Sequence, residues 1–535
     1  MVALGVTMDF VFAILPIGFL ICVMTKKRSW PSYISLPLAA ALVYLLLLVH
    51  SRFDPNLVNA TVVNGALSSV TPISIIFGAI LLSQAMRRSG AERTISQWLR
   101  EVSPNPVAQL MIVGWAFPFM IEGASGFGTP AAIAAPLLVG LGFDAVPVAI
   151  LTLIMNSVPS TFGAVGTPMW FGFSQVPLSS HEILSVSWKS ALVHSVAALV
   201  VPVIALRFVV CWTSIGRNLV YIYLSILSCV LPSLSLSGFN YEFPSLVGGA
   251  VGVSLSVLLA KYRVGLAQTG ADDQVQIRRS SEYYDQSRAF APYLMLIAIL
   301  IVTRVRFLPL RAWLNAESPA FTLDLGSLGD FSASVALVLR IGSIFGTSSA
   351  WSYNALFVPA LIPFVLVVLL SLPLLRLDFR TLKTVTADAM GRLRGPSVTL
   401  VGALIMVQLM TLGGDRAQTM VIGRTLATVA GRSWPFFAPI LGALGAFFAG
   451  STTVSNLTFA GIQDSIAVTL GFERTSVLAL QSVGASMGNM IAISNIIAVC
   501  SILGLVNHDG LVLRRTLVPF IVYCLIAGVA GLLLT

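Results

Sequence analysis

Seventeen apolar runs follow one another along this chain, with only short polar clusters between them. They lie at 8–25, 32–49, 71–87, 106–121, 131–142, 145–160, 184–211, 216–236, 244–260, 289–303, 331–348, 354–375, 396–412, 435–449, 457–471, 475–493 and 511–534. A bilayer core is crossed by a helix of about 20 apolar residues. Inside it only helices and closed barrels satisfy their own backbone polar groups. Charged residues make up 10% of the 535 and hydrophobic ones 57%, whereas a soluble chain carries about 25% charge. That leaves too little polar surface to coat several soluble cores. The fold class expected is an all-α polytopic membrane protein. Several runs are too short to cross alone, so about 12–14 transmembrane helices are expected, with broken or re-entrant pieces near the midplane.

The formal net charge is +10. No dense Lys/Arg patch alternates with aromatics, so nucleic acid is not an expected partner; the basic residues fit cytoplasmic loops. The lipid bilayer is the expected partner. Cys22, Cys211, Cys229, Cys500 and Cys524 all lie in apolar runs at no metal or disulfide spacing. No metal and no cofactor are expected. The first run contains Asp9 and follows no basic segment, so it reads as a span and not as a cleaved leader.

An internal repeat divides the chain. Pro72, Gly78, Ala79, Gln84, Met86 and Gly90 fall, in order and spacing, on Pro396, Gly402, Ala403, Gln408, Met410 and Gly414. Further on Gly123 faces Gly450, and the phrase at 141–144 faces that at 470–473. The first copy carries Lys26, Lys27 and Arg28 before run 32–49, but the second carries Arg376, Arg380 and Lys383 after run 354–375. Likewise Arg87, Arg88 and Arg93 follow run 71–87, whereas Arg392 and Arg394 precede run 396–412. Basic residues mark the cytoplasmic end. The copies are therefore expected to be inverted, as in many secondary transporters, with the N-terminus outside. The expected organisation is a first transmembrane repeat at 1–212, connecting helices at 213–330 with a polar loop at 261–288, and a second repeat at 331–535.

In corresponding places each half has an apolar run interrupted by small polar residues. The first interruption is EGASGFGTP at 122–130; the second is GSTTVSN at 450–456. Glycines weaken a helix by about 1 kcal/mol each relative to alanine, and Pro130 suits the start of a new half-helix. Such an end exposes backbone N–H groups and a partial positive charge, which bind carboxylates. A second break follows each: NSVPSTFGAVGTP at 156–168 and the stretch 482–495. Paired breaks in two halves point to a midplane binding site. A single such break is more simply a kink that lets helices pack. The candidate substrate-binding residues are Gly123, Ala124, Ser125, Gly126, Gly128, Thr129, Asn156, Gly163, Gly166, Ser451, Thr452, Thr453, Ser455, Asn456, Gly488 and Asn489. Glu122 is a carboxylate inside an apolar run, where ionisation is costly, so it is the first candidate for carrying a proton. Asp464 is the second. Glu122 could also serve only as a structural hydrogen-bond partner for the tip amides. Arg207, Arg340 and Arg416 read most simply as helix-end residues reaching the interface.

Enzyme signals are poor. Residues 484–488 fit G-x-S-x-G around Ser486, but that motif needs a strand-to-helix elbow and a His–Asp pair. An intramembrane hydrolase using Ser486 is the alternative from a different class. His50, His181, His194 and His508 form no metal-binding pair; His194 reads as a packing residue or one reaching a polar neighbour. A sensor would need a soluble domain, and 261–288 is too short for one.

The runs at 121–143, 163–168, 449–456 and 484–505 resemble the L-lactate permease family. The resemblance covers most of the chain and is weakest from about 210 to 350. It implies a secondary transporter in the bacterial cytoplasmic membrane that takes up L-lactate, D-lactate and glycolate with protons. A sodium-coupled or exchange carrier for another small organic anion is the alternative within transport. The chain departs from the family pattern in two places. Many members carry an acidic residue where Thr452 stands and a lysine where Asn489 stands.

Overall fold

The computed structural model describes residues 2–25, 30–126, 129–267, 286–304, 309–358, 361–505 and 508–535. Lys26, Lys27, Arg28, Gly128 and most of the 261–288 loop lie outside the described residues. The chain is mainly helical. By length and composition seven described helices suffice to cross a membrane, or eight if one bent pair is a single span; three shorter apolar helices accompany them. That is fewer than the 12–14 expected, because many apolar runs are cut into pieces shorter than a crossing.

The helices gather into two compact units, residues 1–89 with 290–429, and residues 90–289 with 430–535. Each unit is built from two separate stretches of the chain.

In the first unit the long helix Phe379–Thr411 packs against Ser32–Val49, Pro55–Ser68 and Val70–Arg88. Small residues permit the close approach: a Cβ on Gly65 would lie 2.8 Å from the Ile405 Cα, and one on Gly402 would lie 2.5 Å from the Pro37 nitrogen. The two segments matched in the sequence repeat, 71–91 and 395–415, thus include helices packed on each other.

This unit also holds the strands of an otherwise helical chain, among the described residues. The run 331–348 is not a span. Residues 320–354 form a four-stranded antiparallel sheet in the order β1 (Ala320–Asp324), β2 (Asp330–Ser334), β3 (Val338–Gly342), β4 (Trp351–Asn354). The register pairs Phe331 with Ile341 and Ile341 with Trp351. Glycine and serine interrupt this run every few residues, which suits tight turns and short strands rather than a continuous helix.

The second unit holds the expected breaks. Residues 106–124 form a helical stretch buried along its whole length. It includes a π-helical segment, Leu110–Ala116, before Phe117–Ser125. Helix Pro244–Lys261 lies directly against it. A Cβ on Gly123 would run into the Leu246 backbone, and one on Gly249 into the Met120 backbone. Helix Ala145–Asn156 bends by 54° into Pro159–Trp170. In the other part of the unit, helix Trp434–Ala449 stops at Gly450, and Thr452–Leu470 starts after a Ser451 cap. Helix Arg474–Gly488 runs into a short 3-10 turn, Asn489–Ile491.

Candidate functional site

The four breaks lie together in the second unit. Glu122, Gly126, Asn156, Ser160, Gly163, Ala164, Pro168, Gly450, Ser451, Thr452, Thr453 and Asn489 line one cavity of about 320 Å³ of non-atom space.

Backbone shape makes room for it. Gly126 ends its helix at φ 59°, ψ −155°, a conformation open essentially only to glycine. A Cβ there would lie 2.9 Å from the Ala164 nitrogen. Ala164, Val165 and Gly166 follow one another in the left-handed region, which is costly for the alanine and more so for the branched valine. Gly163 sits against the carboxyl of Glu122; a Cβ there would run into Glu122 Oε1.

The donor side is the start of helix Thr452–Leu470. The first N–H groups of a helix have no acceptor inside it. Ser451 Oγ takes the Val454 N–H at 3.4 Å, so the amides of Thr452 and Thr453 remain at the cavity wall with the positive end of the helix dipole. Asn489 donates to Thr452 Oγ1 at 2.6 Å and to Ser160 Oγ at 3.2 Å. The Thr452 hydroxyl accepts there and keeps its own proton to give. Ser160 is committed elsewhere: its Oγ lies 2.6 Å from Ser486 Oγ, and Ser486 donates to the Ser157 carbonyl at 2.7 Å.

The acceptor side is Glu122 with Asn156. Glu122 is 3% exposed and Asn156 6%. Both line the cavity. Glu122 Oε2 and Asn156 Oδ1 are buried and have no hydrogen-bond partner among the described residues.

Eight of the residues singled out in the sequence thus meet at one cavity: Glu122, Gly126, Asn156, Gly163, Ser451, Thr452, Thr453 and Asn489. Ser125 closes its helix and Thr129 opens the next. Others support the walls. Gly166 sits against the Tyr241 carbonyl, and a Cβ on Gly488 would lie 2.6 Å from the Ala443 carbonyl oxygen. Ala124, like Gly123, is buried in the same helix without lining the cavity. Ser455 donates to the Gly442 carbonyl at 2.6 Å, and Asn456 to the Pro168 carbonyl at 3.0 Å. Asp464 is also away from the lining. It pairs with Arg474 at 2.6 Å, and Arg474 reaches Glu182 at 3.2 Å. Sequence reasoning missed Ser160, Ala164, Pro168 and Gly450 as lining residues, although all four lie inside the breaks it marked. His194 reaches Thr161 Oγ1 at 2.6 Å and also the Tyr523 hydroxyl. Ser486 has no histidine beside it in its hydrogen bonds, so the geometry of a hydrolytic triad does not form around it.

The family model described as L-lactate permease matches residues 9–535. The chain belongs to the L-lactate permease family. A relative in Haemophilus influenzae is 47% identical over 528 residues, covering 98% of each chain. The L-lactate permease of Salmonella typhi is 25% identical, covering 97% of this chain and 94% of its own. The glycolate permease of Escherichia coli strain K12 is 23% identical over 99% of this chain and 96% of its own. As a member of a permease family this chain is a multi-pass bacterial membrane transporter and not an enzyme.

Proposed function

We propose that this permease carries small 2-hydroxy monocarboxylates, namely L-lactate, D-lactate and glycolate, into the cell together with protons. One observation carries the proposal. The free amides of Thr452 and Thr453 and the Thr452 hydroxyl line the same cavity as the buried Glu122 carboxyl. The amides and hydroxyl suit a carboxylate. Glu122 suits the coupling proton. A second negative charge in this dry space is costly, so anion and ionised Glu122 exclude each other. Proton uptake by Glu122 removes that conflict, and the anion and the proton then travel together. The names of the relatives, lactate and glycolate permeases, favour the same substrates.

The test is uptake of labelled L-lactate into proteoliposomes. An inward proton gradient should drive accumulation, and a protonophore should collapse it. Sodium-dependent accumulation that a protonophore leaves untouched would overturn the proton part. Glu122→Gln should lose gradient-driven uptake and retain exchange of internal for external lactate.

A further inference from the structure

The cavity holds two kinds of polar group, and only one kind is accounted for by a carboxylate. Amides and a hydroxyl at 452–453 are donors. Asn156 Oδ1 is an acceptor on a side chain more than nine-tenths buried, and among the described residues neither it nor the neighbouring Glu122 Oε2 has a hydrogen-bond partner. A carboxylate has no proton to offer them. The Asn156 amide and the Glu122 carboxyl share the lining, and the amide oxygen is an end with no hydrogen-bond partner among the described residues. Of the other polar side chains of the lining, Ser160 bonds Ser486, Asn489 bonds Thr452 and Ser451 takes the Val454 N–H.

We propose that Asn156, through Oδ1 and beside Glu122 Oε2, is the specificity-determining residue that accepts a hydrogen bond from the substrate's 2-hydroxyl. This rests on the cavity being the monocarboxylate site proposed above. A 2-hydroxy acid presents acceptors at its carboxylate and a donor one carbon away, which matches both sets of wall groups. An acid of the same skeleton without the hydroxyl leaves the buried Asn156 oxygen unpaired. Sites built to bond a substrate hydroxyl reject the analogue lacking it for this reason. The expected discrimination is about tenfold to a hundredfold.

Calorimetric titration of the purified full-length protein in detergent tests this, because it reads affinity without turnover. The ligands are L-lactate against propionate, and glycolate against acetate. In the wild type each hydroxy acid should bind at least about tenfold more tightly than its partner. In Asn156→Leu, which keeps the volume and removes the acceptor, the lactate Kd should rise toward that of propionate, and the propionate Kd should stay within about threefold of the wild-type value. If Asn156→Leu fails to fold, Asn156→Ala is read in the same way, and the wild-type ratio stands as its own test. Equal wild-type binding of lactate and propionate overturns hydroxyl reading and leaves the carboxylate site standing. An undiminished ratio in the Asn156 variants overturns the role of Asn156. If no acid binds the wild type, the monocarboxylate site itself fails, and this proposal with it.

Discussion

Asn489 and Thr452 are hydrogen-bonded partners across the cavity, Nδ2 to Oγ1 at 2.6 Å. They are also the two positions where the family resemblance implies a lysine and an acid. Two departures that look independent in sequence are one contact in space. Both residues are buried, at 7% and 4% exposure. A neutral pair here replaces a charged one without leaving either member unpaired.

Charging this pair one residue at a time should therefore fail. Asn489→Lys alone places an ammonium at a buried position where the lining offers only the Glu122 carboxyl, which must ionise to answer it. An uncompensated buried charge costs about 3–5 kcal/mol. Thr452→Asp alone does the same with the opposite sign, next to Glu122. The double variant restores a pair and should recover thermal stability relative to either single change. Unfolding temperatures of the four proteins in detergent check this. Additive losses in the double variant would mean the two residues do not act together.

Gly163 sits where only hydrogen fits, against Glu122 Oε1. Gly163→Ala should push the carboxyl away from Asn156 and cost about 1–3 kcal/mol through overpacking. Lactate uptake should fall at least tenfold. Gly395→Ala is the control: it lies within a helix and a Cβ there meets nothing within 4 Å, so uptake should stay at the wild-type level and stability should hold or rise by up to about 1 kcal/mol.

The contrast between these residues shows how much of the site is legible in the sequence. Gly126 and Gly450 mark their breaks because glycine at such density is out of place in an apolar helix. Glu122 stands out because a carboxylate there needs a reason. Neighbours three and four residues along the same helix are not separable by sequence. Thr452 and Thr453 line the cavity, whereas Ser455 and Asn456, one turn further along the helix, bond the Gly442 and Pro168 carbonyls of other helices. Asp464 reads as free in the sequence because its partner, Arg474, comes from another helix. The sheet at 320–354 is hidden because hydropathy counts apolar residues without asking their period.

His194 joins three elements through Thr161 and Tyr523. His194→Ala should leave two buried hydroxyls short of a partner, at about 1–3 kcal/mol for each group left unsatisfied. Thr161 keeps a weaker contact to the Ser482 carbonyl at 3.4 Å, so the larger share falls on Tyr523. Adding Tyr523→Phe to His194→Ala should then cost less than the two single changes together. Strict additivity of the unfolding free energies would sink the idea that His194 supports Tyr523.

Acid sensitivity has a definite sign at two carboxylates outside the membrane-spanning helices. The Lys189 ammonium, 2.6 Å away, holds the Glu473 carboxyl below the usual range, with Thr475 and Ser476 hydroxyls helping. Asp378 is held low by hydrogen bonds from Thr381. A carboxyl depressed in the folded state stabilises the fold above its unfolded pKa of about 4. That contribution is lost as pH falls through the folded value. The unfolding temperature should thus respond to these groups only below about pH 4, and Lys189→Met should weaken the acid response. At pH 7 the pair itself is worth little, about 0–1 kcal/mol, because Glu473 is mostly exposed. The two partners are not equivalent. Lys189 is 12% exposed, so Glu473→Gln strands a buried ammonium, whereas Lys189→Met removes it. Glu473→Gln should be the more destabilising change at pH 7, and the reverse order would show that the lysine is solvated.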